Sequence, residues 1–254
     1  MSLNEKVAVV TGGSSGIGAA IAIKFAEEGA KVVIVGRNQE KLNNVAKKCG
    51  NPLVLVADVT KEEDAKRIVN ETVKYFGKLD ILVNNAGIAG SAGIQAEHAM
   101  AVFDQIMSTN LRSAVYLTHL AAPHLVSTKG NIVNISSVAA LRVITKTNFA
   151  YGTSKAALDH FTRCVALELA SSGVRVNVVN PGPVQTDIAE NMGASVEQQA
   201  AVFRQMQKMT ALDRISDPEE IADLVLFLAS DKAKAITGST FVSDNGMLLK
   251  SMEI

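Results

Sequence analysis

The chain contains 254 residues, of which 48% are hydrophobic and 20% are charged, and its 25 basic and 25 acidic residues give a formal charge of zero. A chain of this length can bury a sizeable core, and a neutral balance without a Lys/Arg cluster does not support a nucleic-acid or anionic-membrane partner. No stretch reaches the roughly 18 apolar residues that a membrane span needs, and the opening residues do not resemble a signal peptide, so we expect a cytoplasmic protein with no membrane partner.

Short apolar runs rich in β-branched residues alternate with longer amphipathic stretches from end to end. The runs are apolar at nearly consecutive positions, which is typical of strands buried on both faces of a parallel sheet. The predicted strands are residues 6–11, 31–36, 52–57, 80–84, 131–136, 174–180 and 239–244. The predicted helices are residues 16–29, 38–48, 61–76, 98–109, 111–127, 151–171 and 217–229. This repetition predicts a doubly wound α/β fold that forms one domain over residues 1–254.

A glycine-rich loop, TGGSSGIG at residues 11–18, follows the first predicted strand and precedes a helix. Its glycines fall where the chain must turn sharply, approach a ligand closely and pack a helix against the sheet, and the helix N-terminus presents free N–H groups to a pyrophosphate. Three glycines also occur in purely structural turns, but the strand before and the helix after are the context that dinucleotide binding requires. The expected cofactor contacts in this loop are Gly12, Ser14, Ser15, Gly16, Ile17 and Gly18.

The second predicted strand ends in Gly36-Arg37-Asn38, where a dinucleotide fold recognises the adenosine ribose. An NAD site uses a carboxylate there to accept from the 2′-hydroxyl, and this segment contains no acid. Because a guanidinium suits a 2′-phosphate, Arg37 favours NADP(H) over NAD(H). The alternative is a solvated loop arginine.

Tyr151 and Lys155 lie four positions apart at the head of the predicted helix 151–171. At about 100° per residue they extend a stripe that contains Leu158, Thr162 and Val165 and is expected to face the core. A lysine there is costly without a partner or ligand, which argues against two ordinary surface residues. A neighbouring ammonium favours the phenolate and is expected to lower the pKa of Tyr151, which could then exchange a proton with a carbonyl oxygen as hydride is transferred.

Further polar residues fall near the ends of the predicted strands. Strand 131–136 runs into Ser136-Ser137, and Asn110 opens another helical pattern. Each is weak evidence alone, because serines at strand ends and lone asparagines are usually turn residues. Their joint placement is stronger, because open α/β sheets bind ligands at the carboxyl ends of their strands. The residues at or just beyond those ends are Gly12, Arg37, Asp58, Asn84, Ser137 and Pro181.

The chain resembles the short-chain dehydrogenase/reductase family in motifs that occur in family order: TGGSSGIG, Asp58-Val59, Asn84-Asn85-Ala86-Gly87, Asn110, Ser137, Tyr151-x-x-x-Lys155 and Asn180-Pro181-Gly182. The resemblance implies a Rossmann-type three-layer sandwich around a mostly parallel seven-stranded sheet. It also implies a catalytic tetrad made of Asn110, Ser137, Tyr151 and Lys155. The further cofactor contacts that it implies are Asp58 and Val59 at the adenine, Asn85, Ala86 and Gly87 in the cofactor pocket, and Pro181, Gly182, Val184 and Thr186 at the nicotinamide end, with Tyr151 and Lys155.

Three departures from the family pattern bear on these assignments. The interval of 14 positions between Ser137 and Tyr151 is one longer than is common, so Ser136 stays open as the alternative. The glycine loop carries serines where some NADP(H) enzymes have a basic residue, so Arg37 is expected to act largely alone. Asp244-Asn245-Gly246 stands where Asp-Gly-Gly is common, and Asn245 is expected to adopt left-handed backbone geometry.

The expected activity is NADP(H)-dependent hydride transfer between the nicotinamide and a carbonyl or secondary alcohol, with Tyr151 as general acid/base. The alternatives are an NAD(H)-dependent enzyme of the same family, an epimerase, and a catalytically silent nucleotide-binding protein. No metal is expected, because the four histidines form no ligand cluster. The resemblance also implies that the segment near 186–212 covers the substrate, and that helices 111–127 and 151–171 form dimer or tetramer contacts. Cys49 and Cys164 are expected to be buried thiols in a reducing compartment and not part of a disulfide framework.

Overall fold

The computed structural model describes residues 1–186 and 196–250, and the side chains of residues 1–186 and 201–250. The strands are β1 Val7–Thr11, β2 Lys31–Gly36, β3 Leu53–Val56, β4 Ile81–Asn84, β5 Asn131–Ile135, β6 Arg175–Pro181 and β7 Thr240–Ser243. The helices are α1 Gly16–Glu27, α2 Gln39–Ala46, α3 Glu62–Phe76, α4 Ala99–Met107, α5 Ser113–Thr128, α6 Phe149–Leu169, α7 Val196–Lys208 and α8 Pro218–Ala229.

The seven strands form one sheet in the order β3-β2-β1-β4-β5-β6-β7, and every neighbouring pair is parallel. β1 pairs with β2 on one side and with β4 on the other, so the strand order reverses between β1 and β4. Open α/β sheets bind ligands in the crevice at such a switch point. The doubly wound, Rossmann-type prediction is confirmed.

Helices cover both faces of the sheet, because successive apolar strand residues point to opposite sides. In β2, Ile34 belongs to the core layer that contains α1 and α8, whereas its neighbour Val33 belongs to the layer that contains α3, α5 and α6. Both residues are fully buried. The central strands are therefore apolar at consecutive positions, and the parallel-sheet interpretation of those runs is confirmed.

Four features of the structure differ from expectation or sharpen it. The expectation of two buried thiols is wrong for Cys164, which is exposed on α6, and Cys49 is half-buried. A π-helical turn, Ser108–Arg112, joins α4 to α5, so Asn110 lies inside a continuous helical path and does not open a helix. α6 begins at Phe149, two residues before the predicted start. Asn245 has φ of 52°, which confirms its expected left-handed conformation.

The segment near 186–212 that is expected to cover the substrate falls partly outside the described residues, at 187–195. Its described part contains α7, Val196–Lys208. Across residues 1–186 and 196–250, no helix combines the length and the apolar character needed to cross a membrane.

Candidate active site

A cleft of about 680 Å³ opens along the carboxyl edge of the sheet, between the ends of β1, β2, β3, β4 and β5. Its walls include most of the residues that were expected to contact a cofactor. Those that line it are Gly12, Ser14, Ser15, Gly16, Ile17, Arg37, Asp58, Val59, Asn85, Ala86, Gly87, Tyr151, Lys155 and Thr186. One concave surface therefore joins the glycine loop, the strand-end residues and the Tyr-Lys pair.

The glycine loop is held against the sheet by Asn85. The side-chain nitrogen of Asn85 donates to the carbonyl oxygens of Thr11 at 2.9 Å and of Gly12 at 3.3 Å. Gly12 has φ of 65°, a conformation that favours glycine. A Cβ on Gly18 would lie 2.2 Å from the Gly12 oxygen, so Gly18 serves the close packing of α1 on the loop.

The N-terminus of α1 faces the cleft through this loop. Ser15 precedes the helix and makes no side-chain capping hydrogen bond within the described residues. The N–H groups of the first helical turn lack intrahelical acceptors, and they lie at the positive end of the helix dipole. The loop and the helix end therefore fit a pyrophosphate.

Two basic residues line the cleft at the end of β2. Arg37 follows the strand, and Lys41 lies in the first turn of α2. Asn38 caps that helix by accepting from the Lys41 backbone N–H at 2.9 Å. Arg37 is therefore one of two basic residues at this end of the cleft, whereas the sequence pattern predicts that it acts largely alone. Lys41 could have been found as a basic residue one helical turn after Arg37.

The Asp58 carboxylate accepts two hydrogen bonds on the same side of the cleft. Its Oδ1 accepts from the Thr60 backbone N–H at 3.0 Å and from the Thr60 hydroxyl at 2.7 Å. Burial raises the pKa of Asp58, but the hydrogen bonds from Thr60 and the charges of Arg37 and Lys61 outweigh it and hold the pKa below its usual value. Asp58 is thus an ionised, oriented acceptor beside the arginine.

The Tyr-Lys pair lies at the opposite end of the cleft, on the first turns of α6. Lys155 is only 4% exposed, and its Nζ donates to the Ile135 carbonyl oxygen at 2.8 Å. The same Nζ is 5.7 Å from the centroid of the Tyr151 ring. Leu158 and Thr162 are buried on the same face, as the helical wheel predicts.

Burial dominates the titration of both groups. It lowers the pKa of Lys155 to about 8, although the negative charge of Asp159 opposes it. Burial also raises the pKa of the Tyr151 hydroxyl, and a hydrogen bond with Ser137 only partly offsets it. The expectation of a lowered tyrosine pKa is therefore not met, because the ammonium lies near the ring and donates to Ile135, so desolvation is the larger effect.

The two serines after β5 have different surroundings. The Ser137 hydroxyl hydrogen-bonds with Tyr151, and its oxygen accepts from the Ala139 backbone N–H at 3.1 Å. Ser136 is 4% exposed and donates to the Lys155 carbonyl oxygen at 3.1 Å. Only Ser137 of this pair is hydrogen-bonded to the tyrosine within the described residues.

Asn110 reaches the site from the π-helical turn. Its Oδ1 accepts from the Ile88 backbone N–H at 2.8 Å, and its Nδ2 donates to the Ile88 carbonyl at 3.0 Å and to the Ser154 hydroxyl at 3.2 Å. A Cβ on Gly87 would lie 3.4 Å from Asn110 Oδ1 and 3.5 Å from Lys155 Nζ. Asn110 therefore anchors the backbone segment that passes the lysine.

Some predicted site residues do not line this cleft in the described part of the chain: Gly18, Asn110, Ser137, Pro181, Gly182 and Val184. Gly182 packs on the backbone of Asp244, where a Cβ would lie 2.7 Å from its Cα, and Val184 forms an isolated parallel bridge with Ser216. Pro181, Gly182 and Val184 therefore lie outside the cleft wall.

Other cleft residues were not singled out from the sequence: Val35, Gly36, Asn38, Lys41, Ala57, Thr60, Ile88, Gln105, Ser108, Thr109, Ile135 and Ser136 as a wall residue. Most flank a recognised position, since Ala57 and Thr60 bracket Asp58-Val59 and Thr109 precedes Asn110. Gln105 projects from α4, and no sequence signal marks it. No group of three or more His, Cys, Asp or Glu side chains within residues 1–186 and 201–250 is arranged to hold a metal ion.

Comparison with known proteins shows that the chain is similar to other proteins both in sequence and in fold. A family model described as enoyl-(acyl carrier protein) reductase matches residues 12–248. L-fucose dehydrogenase from Bos taurus is 36% identical over 241 residues, which cover 95% of this chain and 88% of the relative. A short-chain dehydrogenase/reductase of unknown function from Caenorhabditis elegans, crystallised with cofactor, superposes with a TM-score of 0.93 at 36% identity, covering 98% of this chain and 97% of that one. Aldohexose dehydrogenase from Thermoplasma acidophilum, in ligand-free form, superposes with a TM-score of 0.87 at 32% identity, covering 98% and 96%.

Proposed function

The chain belongs to the short-chain dehydrogenase/reductase family, and from that premise we propose that it is an NADP(H)-dependent oxidoreductase acting on a carbonyl or secondary alcohol. Its membership makes it an oxidoreductase of CH–OH groups that uses a nicotinamide cofactor and a small-molecule substrate. The preference for NADP(H) and the roles of individual residues are the proposal.

The cleft fits a dinucleotide along its whole length. The glycine loop and the α1 N-terminus would hold the pyrophosphate, and Asp58 and Val59 would contact the adenine. Arg37 and Lys41 offer two cations to a 2′-phosphate, where a carboxylate would repel it. Gly87 and Thr186, with support from Pro181, Gly182 and Val184, would hold the nicotinamide end.

The bound nicotinamide supplies or accepts the hydride, and the side chains manage the proton. Tyr151 keeps its phenolic proton at neutral pH because burial raises its pKa, so it can donate that proton to a carbonyl oxygen as the oxygen becomes negative. Ser137, hydrogen-bonded to the same hydroxyl, orients it and offers a second donor to the reacting oxygen. In the reverse direction, the deprotonated Tyr151 takes the proton of an alcohol.

Lys155 and Asn110 support this proton transfer. The Lys155 ammonium stabilises the phenolate that forms when Tyr151 gives up its proton, and it would also bind the nicotinamide ribose. Asn110 fixes the Ile88 backbone beside the lysine. The observation that carries the proposal is the placement of Tyr151 and Lys155 on one wall of a cleft whose far end holds Arg37 and Lys41.

The test is a substrate screen that follows NADPH absorbance with purified protein. The panel covers steroids, quinones, oxoacyl thioesters and sugars, each assayed with NADPH and with NADH. We expect turnover of at least one carbonyl compound with NADPH preferred. A protein that binds NADPH and reduces no member of the panel would favour a catalytically silent nucleotide-binding protein.

A second candidate is an NAD(H)-dependent sugar dehydrogenase of the same family. Two relatives are named as dehydrogenases of L-fucose and of aldohexoses, and this is the observation that favours it. Oxidation of free sugars with NAD⁺ in preference to NADP⁺ would select this candidate. Arg37 and Lys41 at the ribose end argue for the first proposal.

The remaining expectations belong to the same proposal. We propose one domain over residues 1–254, a covering segment near 186–212, a cytoplasmic location and a homo-oligomer formed through α5 and α6. Leu167 on α6 is 82% exposed and Val115 on α5 is 37% exposed, as apolar contact residues of an interface would be in a single chain. Light scattering is the test, and a mass equal to the monomer would contradict the oligomer.

A further inference from the structure

A buried carboxylate lies one helical turn beyond Lys155 and belongs to none of the sequence motifs. Asp159 on α6 is 3% exposed. Buried acids are rare unless hydrogen bonds or opposite charges compensate their charge. The residues around Asp159 show what compensates it here.

One arm of the contact network runs from Asp159 to Ser137. The Asp159 Oδ2 accepts from the Asn180 Nδ2 at 2.8 Å, and the same Nδ2 donates to the Ser137 carbonyl oxygen at 3.1 Å. Asn180 is fully buried near the end of β6. Because the same Nδ2 donates to both acceptors, the bond to Asp159 helps to hold the Asn180 amide where it binds the Ser137 backbone.

A second arm runs to Lys155. The Ser136 hydroxyl donates to the Lys155 carbonyl oxygen at 3.1 Å. The same hydroxyl lies near the Asp159 carboxylate and lowers its pKa. Ser136 thereby joins the end of β5 to α6 behind the catalytic face. Asp159 thus lies beside Ser136 and reaches the Ser137 backbone through Asn180.

The charged groups that act on Asp159, Lys155 and Arg163, lie on its own helix. The polar groups that face it from the sheet, Ser136 after β5 and Asn180 in β6, are neutral. Burial raises the pKa of Asp159, and the hydrogen bonds from Ser136 and Asn180 and the charges of Arg163 and Lys155 oppose that rise. In return, the carboxylate raises the pKa of Lys155 against the larger effect of burial. Each charge therefore favours the ionised form of the other, while burial is the larger effect on both pKa values.

We propose that Asp159 is a positioning residue for the reaction: through Asn180 it holds the backbone of Ser137, and it places a negative charge one helical turn from Lys155. The inference rests on the proposed function of Tyr151, Ser137 and Lys155. It adds a residue that touches neither substrate nor cofactor and acts through two that do.

Two substitutions separate the two arms. Asp159→Asn removes the charge but keeps an oxygen that can accept from Asn180, whereas Asp159→Ala removes both. Glu168→Gln, on the exposed side of the same helix, makes the same charge change away from the site and serves as the control. The measurement is kcat for NADPH-dependent carbonyl reduction as a function of pH, with the KM for NADPH followed in parallel.

We expect Asp159→Asn to keep kcat near pH 6 within about threefold of the wild type. The pH at which kcat falls should be lower by about one unit, the smaller end of the pKa shift that one nearby charge causes. Asp159→Ala should lower kcat about 10²-fold at every pH, because small displacements of catalytic groups have effects of that size, while the KM for NADPH stays within about twofold. Glu168→Gln should match the wild type. An Asp159→Asn profile that superimposes on the wild type would overturn the inference.

A titration of Lys155 keeps this test separate from the proposed function. Protein carrying 13C-labelled lysine is titrated by NMR, with Lys155→Met identifying the resonance. We expect a midpoint of about 8 in the wild type and a value about one unit lower in Asp159→Asn. An unchanged midpoint refutes the inference even if the wild type reduces carbonyls, whereas an inactive wild type with a shifted midpoint refutes the proposed function alone. The titration needs only the near-isosteric Asp159→Asn, so the inference stays testable if Asp159→Ala does not fold.

Discussion

The ammonium of Lys155 donates to the carbonyl oxygen of Ile135 at 2.8 Å, which ties the first turns of α6 to the last residue of β5. An ammonium has three donors, so this bond fixes the cation while leaving two for other partners. Lys155 also lines the cleft with Tyr151, and its Nζ lies 5.7 Å from the Tyr151 ring centroid. The cation is therefore held in place beside the phenol by the sheet itself.

The direct test of the acid/base assignment is Tyr151→Phe. The change removes the hydroxyl and leaves the ring, so turnover should fall by about 10²–10⁴-fold, the usual contribution of a positioned acid. The Kd for NADPH, measured by fluorescence titration, should stay within about twofold. Tyr75→Phe is the matched control, because Tyr75 is 62% exposed on α3 and lies outside the cleft. Unchanged turnover in Tyr151→Phe would rule out the mechanism.

Carbonyl reduction should depend on pH through Lys155. Its pKa is lowered to about 8, so the ammonium is present below that pH and lost above it, while the raised pKa of Tyr151 keeps the phenol protonated across this range. We therefore expect kcat for reduction to be level from about pH 6 to 7 and to fall as the pH passes through about 8. Steady-state rates at saturating NADPH measure this, and a rate that stays level up to pH 10 contradicts it.

Cofactor choice should depend on Arg37 and Lys41. A charge-assisted hydrogen bond contributes about 1.5–3 kcal/mol, so Arg37→Ala should lower kcat/KM for NADPH by about 10- to 100-fold, and Arg37→Asp by more, because a carboxylate repels the 2′-phosphate. Lys41→Ala should lower it by about 5- to 10-fold. The kcat/KM for NADH should stay within about threefold in both alanine variants.

Lys48→Ala is the control for these substitutions, since it removes an exposed cation just beyond the other end of α2. It should leave both cofactors unaffected. A wild type that prefers NADH would refute the NADP(H) proposal whatever the variants show.

The strands and most of the cleft could be predicted from the sequence because their signals are local. Seven buried runs give seven parallel strands, and parallel strands bring their carboxyl ends to one edge, so Gly12, Arg37 and Asp58 meet without any tertiary information. The burial of Lys155 follows from helical spacing alone. These are consequences of periodicity and sheet geometry.

What could not be predicted depends on distances across the fold. The π-helical turn that carries Asn110 continues two helices that a sequence pattern shows as separate. The direction in which the Tyr151 pKa shifts depends on which group accepts the hydrogen bond of the Lys155 ammonium. That acceptor, the Ile135 carbonyl, is near the lysine only because α6 packs on β5. The Asp159–Asn180 contact joins α6 to β6 across 21 positions and has no periodic signature.

The serine assignment is tested by a pair of alanine substitutions. Ser137→Ala removes the hydroxyl that bonds to Tyr151 and should lower kcat by about 10²-fold, by analogy with the loss of one donor to a reacting oxygen. Ser136→Ala leaves that hydroxyl in place and should lower kcat less, by about tenfold or below, since it removes only a bond to the Lys155 carbonyl. Equal losses, or a larger loss in Ser136→Ala, would assign the catalytic role to Ser136.

The buried Lys155 should also make the free energy of unfolding depend on pH. Its pKa is about 8 in the folded chain and 10.5 in the reference state, so the unfolded state binds more protons between those values. The free energy of unfolding therefore gains a contribution as the pH rises from about 8 to 10.5. At about 1.4 kcal/mol per pKa unit, the gain is at most about 3.5 kcal/mol. Lys155→Met removes this titration.

The measurable quantity is the difference in free energy of unfolding between the wild type and Lys155→Met, from urea denaturation at pH 7 and pH 10. We expect the wild type to gain on the variant by about 1–3 kcal/mol over that interval, because other titrating groups cancel in the difference. A difference that is the same at both pH values would mean that Lys155 titrates normally in the folded chain. The pH dependence assigned to Lys155 in catalysis would then have to come from another group.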